Sequence, residues 1–163
     1  MVKAVFPGSF DPPTYGHLNI LSRGAVLFDS LDVVIAVNPK KTPLLSAERI
    51  KALFEEQLSI MKLEHVRVTI YEGLIVDYCS SVNASVLLRG VRSAADFNYE
   101  FELSILNKQL NEKIETVLIP TDPKYFVLRS STIKELLNLG GDISAMVPPA
   151  VERALIKLHG KKT

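Results

Sequence analysis

A short stretch near the start of the chain brings together a glycine, a hydroxyl and an imidazole. Gly8 and Ser9 follow an apolar run, and His17 stands at the beginning of a helical pattern. The first turn of a helix offers free backbone N–H groups and the positive end of the helix dipole. An imidazole and a hydroxyl beside such a turn indicate phosphate chemistry. We expect Gly8 to let a bulky anion approach the backbone closely.

The residues around this stretch predict a strand, a tight loop and a helix. Residues 2–6 are mostly apolar and predict a buried strand, and Gly8 with three nearby prolines excludes regular structure in the loop that follows. Apolar residues then recur at helical spacing. They are Leu18, Leu21, Ala25 and Phe28. His17 therefore lies in the first turn of the predicted helix.

Strands and helices alternate along the rest of the chain. Apolar runs predict further strands at residues 31–37, 66–71, 85–88 and 116–119. Helical patterns begin near Ser46, Gly73, Ala94, Ser131 and Pro148. This alternation favours an α/β fold with an open, doubly wound parallel sheet and right-handed crossovers. A length of 163 residues is typical of one domain, which we assign to residues 1–163.

Two of the predicted helices have distinctive residue patterns. We expect Ser131 or Thr132 to cap the helix after the fifth strand, with Thr132 and Glu135 forming a capping box. The long helix at residues 94–110 is apolar on two nearly opposite faces. One face carries Phe97, Phe101 and Ile105, and the other carries Tyr99, Leu103, Leu106 and Leu110. One face should cover the sheet, and the other needs a partner helix or a second subunit.

The composition excludes several classes of protein. A net charge of +1 gives no reason to expect a nucleic-acid partner. No apolar run approaches the roughly 20 residues of a membrane-spanning helix, and Met1 leads directly into a strand, so we expect neither a membrane anchor nor a signal peptide. Cys79 is the only cysteine and cannot form an internal disulfide, which suits a cytoplasmic location.

The sequence also gives little support to other phosphate or metal chemistries. It contains neither the G-x-x-x-x-G-K-[ST] loop of P-loop kinases nor, after its first strand, the G-x-G-x-x-G of dinucleotide oxidoreductases. His17, His65 and His159 are far apart, and a single cysteine does not complete a zinc set.

Sheets of this class bind ligands beyond the carboxyl ends of their strands. The unusual loops all follow predicted strand ends, so their basic and hydroxyl side chains should meet at one rim. They are Ser9, His17, Lys41, Arg89, Arg92 and Lys134, with Arg129 as a further candidate. Asp11 and Glu100 are the only acids that we place beside them. A cationic pocket in a nearly neutral protein suits small polyanions.

Residues 8–12 followed by Thr14-Tyr15-Gly16-His17 resemble the [ST]-x-G-H signature of the nucleotidyltransferase superfamily, and in particular of the bacterial phosphopantetheine adenylyltransferase family. Residues 89–92, 96–100 and 129–134 extend the resemblance over essentially the whole chain. It implies a single nucleotidyltransferase domain built on a Rossmann-like five-stranded parallel sheet of order 3-2-1-4-5, with helices on both faces.

In that family ATP and 4′-phosphopantetheine react to give dephospho-coenzyme A and pyrophosphate. The resemblance implies the same reaction here, with His17 stabilising the transition state and six identical subunits arranged as two trimers. We expect Mg²⁺ to bridge the phosphates with few protein ligands, and we assign no residue as a metal ligand. It implies an ATP site lined by Ser9, Phe10, His17, Gly90, Val91, Arg92, Glu100, Tyr125, Phe126, Val127, Leu128, Arg129, Ser130 and Ser131. It implies that phosphopantetheine is held by Ser9, Lys41, Ile75 and Arg89.

The chain departs from the family's pattern at two places. The family often has Lys-Lys-Pro, whereas here Lys40, Lys41 and Thr42 precede Pro43, which leaves open whether Lys40 or Lys41 reaches the substrate. The family often has Ile-Ser-Ser-Ser where this chain has residues 128–131. Arg129 thus replaces a hydroxyl, and it either contacts phosphate or points outward.

Two other functions stay open from the sequence. A sister enzyme on the same fold would transfer a nucleotide to another small phosphate, such as nicotinamide mononucleotide. A non-catalytic sensor of nucleotide or coenzyme A would have kept only the fold, and the intact Ser9, His17 and Arg92 argue against it.

Overall fold

Five parallel strands form one sheet in the computed structural model, which describes residues 1–160. They are β1 (Lys3–Gly8), β2 (Ser30–Val37), β3 (Val66–Glu72), β4 (Val86–Val91) and β5 (Glu115–Pro120). Their order is β3-β2-β1-β4-β5, and every neighbouring pair is parallel. This confirms the predicted fold class and the strand order that the family resemblance implies.

Helices connect the strands and cover the sheet. They are α1 (Tyr15–Leu27), α2 (Ala47–Met61), α3 (Ile75–Ser81), α4 (Ala94–Leu110), α5 (Ser130–Asn138) and α6 (Pro149–His159). A short 3₁₀ turn at Pro123–Tyr125 interrupts the loop between β5 and α5. Within residues 1–160, no helix has the length and apolar character needed to cross a membrane.

The central strand β1 is buried on both faces. Ala4 and Phe6 point into the larger apolar cluster, to which α1, α2, α5 and α6 contribute, whereas Val5 between them points into a smaller cluster with α3. Successive side chains of a strand point to opposite faces of the sheet, so helices pack on both sides of β1. This arrangement explains why its sequence is a continuous apolar run rather than an alternating one.

Two glycines let α1 lie close to β4. A Cβ atom added at Gly24 would lie 2.4 Å from Cδ2 of Leu88, and one added at Gly90 would lie 2.8 Å from Cγ1 of Ile20. Both distances are shorter than real side-chain contacts, so each position depends on the absence of a side chain. The close packing holds the first turn of α1, which contains His17, beside the end of β4.

The start of α5 differs from the prediction. The helix begins at Ser130 with Arg129 in the N-cap position, where no side chain forms a capping hydrogen bond. The predicted capping box is therefore wrong, because Thr132 and Glu135 both lie inside the helix. The Ser130 hydroxyl instead donates to the carbonyl oxygen of Pro12 at 2.9 Å. This contact with a distant loop fixes the beginning of the helix.

Helix α4 buries little of its surface in the single chain. Glu100 is its only buried residue, and both apolar faces stay exposed, with exposed fractions of 51% for Phe101 and 53% for Leu106. The expectation that one apolar face covers the sheet is therefore wrong for a single chain. The strip nearest the sheet carries Glu100 with the half-buried Ser104 and Leu103, and Leu103 is the one residue of either apolar face that is not exposed.

Candidate active site

Two cavities open at the carboxyl ends of the strands, and Ser9 lines both of them. The smaller has a volume of about 130 Å³ and lies between the loop after β1 and the end of β4. The larger has a volume of about 410 Å³ and lies between the same loop and the loop after β2. Two ligands that occupied these cavities would therefore meet beside one hydroxyl group.

The loop after β1 is shaped by Phe10. This residue has a positive φ of 48°, and its ring lies against Gly8, where a Cβ atom would come within 2.9 Å of the ring. The structure thus gives Gly8 a different role from the expected one, because the ring rather than an anion occupies the space beside it. Phe10 also meets the ring of His17 edge-on, with centroids 5.0 Å apart, and so forms one wall around the imidazole.

Thr14 fixes the orientation of His17 at the start of α1. Its hydroxyl accepts a hydrogen bond from the backbone N–H of His17 at 3.2 Å, and its own backbone N–H donates to Nδ1 of the imidazole at 3.1 Å. This is a capping box in which histidine replaces the usual Glu or Gln. Because Nδ1 accepts, the neutral ring carries its proton on Nε2.

The surroundings of His17 keep the ring neutral. Burial, together with the nearby guanidinium groups of Arg92 and Arg89, lowers the pKa of His17 from 6.5 to about 3. A neutral ring with its proton on Nε2 can donate a hydrogen bond to an anion in the smaller cavity. It is poorly suited to exchange protons at neutral pH.

Arg89 is held by a carboxylate from α4. Its Nε and one terminal nitrogen donate to the two carboxylate oxygens of Glu100 at 2.8 and 2.5 Å, and its other terminal nitrogen donates to the carbonyl oxygen of Pro7. Such a bidentate pair fixes the plane of the guanidinium. Strand β4 also continues to Val91, beyond its predicted end at residue 88, so Arg89 projects from a strand rather than from a loop.

Arg92 is held in a similar way. Its Nε donates to the carboxylate of Asp96 at 2.9 Å, its backbone N–H donates to the same carboxylate at 3.2 Å, and a terminal nitrogen donates to the carbonyl oxygen of Leu128 at 2.9 Å. The expectation that Asp11 and Glu100 are the only acids at the rim is therefore wrong. Asp96 balances part of the positive charge beside the smaller cavity.

Asp11 joins three parts of the rim. Its buried carboxylate accepts hydrogen bonds from the backbone N–H groups of Leu44 and Leu45 at 2.7 and 2.9 Å, and from the ammonium of Lys134 at 2.6 Å. The loop after β1, the loop after β2 and α5 are thereby tied together. These three segments form most of the wall of the larger cavity.

Comparison of the sequence with known proteins shows the family to which the chain belongs. A family model described as cytidylyltransferase-like matches residues 5–136. Curated relatives named phosphopantetheine adenylyltransferase include one from Caldanaerobacter subterraneus subsp. tengcongensis, 46% identical over 99% of each chain, and one from Staphylococcus haemolyticus, 44% identical over 94% of each chain. The chain belongs to the phosphopantetheine adenylyltransferase family. This confirms the resemblance drawn from the signature.

A solved structure with a different name shares the fold. The nicotinic acid mononucleotide adenylyltransferase of Plasmodium falciparum, complexed with NaAD, superposes with a TM-score of 0.70 at 17% identity, covering 95% of this chain and 94% of that one. At this identity the likeness shows the α/β fold and leaves the choice of acceptor to the side chains of the site.

The structure brings together some of the residues that the family resemblance implies for the ATP site. The smaller cavity is lined by Ser9, Phe10, His17, Gly90, Arg92, Leu128 and Ser130. Outside both cavities lie Val91, Glu100, Tyr125, Phe126, Val127, Arg129 and Ser131. The side chain of Arg129 is exposed, which favours the alternative in which this residue points outward rather than contacting phosphate.

The residues suggested for phosphopantetheine are divided between the cavities. Lys41 and Ser9 line the larger cavity, and Lys40 does not, which favours Lys41 as the lysine that reaches the substrate. Arg89 lines the smaller cavity. Ile75 lies at the start of α3 and lines neither.

Sequence reasoning missed two residues, Thr14 and Asp96, which orient the side chains of His17 and Arg92. Thr14 stands three positions before His17, which is the spacing of a capping box, and Asp96 stands four positions after Arg92, in the first turn of the predicted helix. Both signals are present in the sequence. They become decisive only once the start of each helix is known.

Stability in acid should depend on His17. The pKa of this group is about 3 in the folded protein and near 6.5 when unfolded, so between these values only the unfolded chain binds the extra proton. Stability should therefore fall as the pH is lowered from about 6.5 towards 3, and His17→Gln should remove that part of the fall. Chemical denaturation of both proteins at about pH 7, 5 and 4 measures the difference. Parallel loss of stability in the two proteins would contradict a lowered pKa of His17 in the folded protein.

Proposed function

We propose that the protein transfers the adenylyl group of ATP to 4′-phosphopantetheine, forming dephospho-coenzyme A and releasing pyrophosphate. In this reaction a phosphate oxygen of the acceptor attacks the α-phosphorus of ATP, and the bond between that phosphorus and the pyrophosphate oxygen breaks. The observation that supports the proposal best is the meeting of two cation-lined cavities at Ser9, in a member of the phosphopantetheine adenylyltransferase family.

We assign ATP to the smaller cavity and to the loop between β5 and α5. Arg92 is oriented by Asp96 and by the Leu128 carbonyl oxygen, and it would bind the β- and γ-phosphates. The N-terminus of α5 at Ser130 adds backbone N–H groups on the same side. Tyr125, with Phe126 and Val127 in the same loop, would contact the adenosine.

We assign phosphopantetheine to the larger cavity. Lys41 and Ser9 would bind its phosphate, and Arg89 would reach the same phosphate from the smaller cavity. Ile75, at the start of α3, would contact the distant part of the pantetheine chain. In this arrangement the acceptor's phosphate lies at the junction of the two cavities, where it can meet the α-phosphate of ATP.

Catalysis in this site rests on positioning and electrostatics. The phosphate oxygen of the acceptor is already a nucleophile near neutral pH, so no strong base is needed. The Nε2–H of neutral His17 would donate to the α-phosphate as negative charge builds up there. The guanidinium groups of Arg89 and Arg92 would offset the charge of the two phosphorylated substrates.

We include Mg²⁺ as a companion of ATP rather than as an ion resident in the protein. The acids at the rim are each paired with a base, namely Asp11 with Lys134, Glu100 with Arg89, and Asp96 with Arg92. Mg²⁺ bound to phosphates needs few protein ligands. When bound it would neutralise phosphate charge, and the basic side chains named above would hold the phosphates.

A single assay tests the function. Release of pyrophosphate from ATP and Mg²⁺ should occur with 4′-phosphopantetheine and should be far slower with nicotinamide mononucleotide or nicotinate mononucleotide. Preference for a mononucleotide would favour the sister enzyme on the same fold. ATP binding without turnover on any acceptor would favour a sensor.

We also propose that the protein assembles through α4 into a hexamer of two trimers. The exposed apolar residues of α4 include Phe97, Tyr99, Phe101, Ile105, Leu106 and Leu110. A helix that buries one residue in its own chain needs a further partner to cover such faces. Glu100, the one buried residue of this helix, holds Arg89, so assembly would also stabilise the site.

Phe101→Asp should dissociate the assembly, because it places a charge in an apolar contact. Light scattering of the wild-type protein should give about six times the chain mass, and that of the variant should give a smaller species. Ile60→Asp is the matched control, because Ile60 is an exposed apolar residue on another helix, α2. A wild-type protein that is monomeric and fully active when dilute would contradict the proposal.

We assign residues 1–163 to one nucleotidyltransferase domain that acts in the cytoplasm without a nucleic-acid partner. The family model covers residues 5–136, which supports the single domain. A single cysteine suits a reducing compartment, and a net charge of +1 gives no reason to expect a nucleic-acid partner.

A further inference from the structure

Lys134 lines the larger cavity, although the family resemblance assigns it to neither substrate. Its ammonium lies 2.6 Å from Oδ2 of Asp11, and 36% of its side chain is exposed. Lys41 and Ser9 line the same cavity. Two ammonium groups therefore face a space in which Asp11 is the only acid among the lining residues within the described part of the chain.

Two contacts fix the face of α5 that carries Lys134. The Ser130 hydroxyl binds the carbonyl oxygen of Pro12, and Lys134 binds the carboxylate of Asp11. Ser130 and Lys134 are one helical turn apart and lie on the same face of the helix. Ser130 lines the smaller cavity and Lys134 the larger, so this face spans the junction where the two substrates must meet.

The ammonium of Lys134 has N–H donors that its bond to Asp11 does not use. The carboxylate also accepts two backbone N–H groups, from Leu44 and Leu45, so it does not depend on Lys134 alone. A lysine ammonium has three N–H donors. The bond to Asp11 uses one of them, and the ammonium can turn the others towards a phosphate in the cavity.

We propose that Lys134 binds the phosphate of the acceptor together with Lys41, and that Asp11 positions Lys134 for this contact. The inference rests on the proposed function, because it takes the larger cavity as the acceptor site. If Lys134 only fastened α5 to the loop after β1, its loss would disturb both substrate sites alike. If it binds phosphate, its loss should weaken the binding of ligands that place a phosphate in this cavity and leave the binding of other ligands unchanged.

The test compares Lys134→Met with Lys51→Met by calorimetric titration. Methionine keeps much of the apolar stem and removes the charge. Lys51 is a matched control, because it also lies on a helix, has a side chain that is 39% exposed, and pairs with Glu55 at 3.6 Å. Each protein is titrated with 4′-phosphopantetheine, with pantetheine, with inorganic phosphate and with ATP.

In Lys134→Met the dissociation constants of 4′-phosphopantetheine and inorganic phosphate should rise about tenfold or more, which is the scale of one charge-assisted hydrogen bond. Those of pantetheine and ATP should stay close to the wild-type values, and Lys51→Met should bind all four ligands normally. Lys134→Arg should recover part of the loss, because it keeps the charge.

Three results would overturn the inference. Unchanged binding of phosphate and 4′-phosphopantetheine would show that Lys134 does not contact them. An equal loss of affinity for 4′-phosphopantetheine and for pantetheine would exclude a phosphate contact. An equal loss of affinity for all four ligands, together with a lower Tm, would mean that Lys134 only fastens α5 to the loop after β1. A wild-type protein that binds phosphate but not 4′-phosphopantetheine would refute the proposed function, and the phosphate titration would still decide the role of Lys134.

Discussion

His17→Ala should lower kcat by about 100-fold or more, whereas the dissociation constant for ATP should change much less. The reason is that Nε2–H of His17 is the donor placed to follow the charge that builds up on the α-phosphate, and removing one such donor costs about 10²–10³ in kcat. Steady-state release of pyrophosphate gives kcat, and calorimetric titration gives the affinity for ATP.

Three further variants separate this role from helix capping. His17→Gln can keep the capping hydrogen bond and loses the imidazole donor, so its kcat should stay low. Thr14→Ala keeps the imidazole and the backbone N–H that donates to Nδ1, and it removes the hydroxyl that caps the helix, so its loss of kcat should be smaller. His65→Ala is the control, because this histidine bonds to the Ala25 carbonyl oxygen near the C-terminal end of α1, away from His17 in the first turn. A nearly normal kcat in His17→Ala would leave capping as the only role of the residue.

The pH dependence of kcat offers an independent check. A histidine with a pKa of about 3 is neutral throughout the range above pH 5. The profile of kcat against pH should therefore have the same shape in the wild-type protein and in His17→Gln. An inflection near 6.5 that this variant removes would mean that the ring exchanges a proton during turnover.

The sheet and its helices could be predicted from the sequence because their signals are local and long. The strands are apolar runs bounded by loops, and α4 has the predicted bounds, Ala94–Leu110. The strand order came from the family resemblance rather than from periodicity, since patterns along the chain do not say which strands are neighbours.

The details of the site were harder to predict because they depend on contacts between residues far apart in the sequence. The start of α5 is set by a bond between Ser130 and Pro12, and Asp11 is held by Leu44 and Leu45 of another loop. Local preference could not reveal these pairs. The role of Gly8 was missed for a related reason, because the ring of Phe10 reaches back over it only when Phe10 adopts a positive φ.

The bond between Arg89 and Glu100 joins the site to the helix that we propose as the subunit contact. Glu100 is the one buried residue of α4, and its carboxylate is satisfied by Arg89. The same arginine lines the smaller cavity and is assigned to the acceptor's phosphate. A change at either residue can therefore act through stability, through binding, or through both.

Arg89→Met should show both effects. Removing the guanidinium leaves the buried Glu100 carboxylate without its partner, so the free energy of unfolding should fall by about 2–3 kcal/mol, less than for a fully buried pair because 26% of the Arg89 side chain is exposed. The dissociation constant of 4′-phosphopantetheine should rise about tenfold to a hundredfold. Arg89→Lys should rescue neither fully, because lysine cannot form the bidentate pair.

The double variant Arg89→Met with Glu100→Leu separates the two effects. Replacing both charges by apolar groups removes the unpaired carboxylate, so most of the lost stability should return. Affinity for 4′-phosphopantetheine, measured by calorimetry without ATP, should stay as low as in Arg89→Met, because the cation that binds the phosphate is still missing. Denaturant titration of the two single variants and the double variant gives the stability side of the cycle. If affinity returns together with stability, Arg89 acts only by holding Glu100, and the acceptor's phosphate must be bound by other cations of the rim.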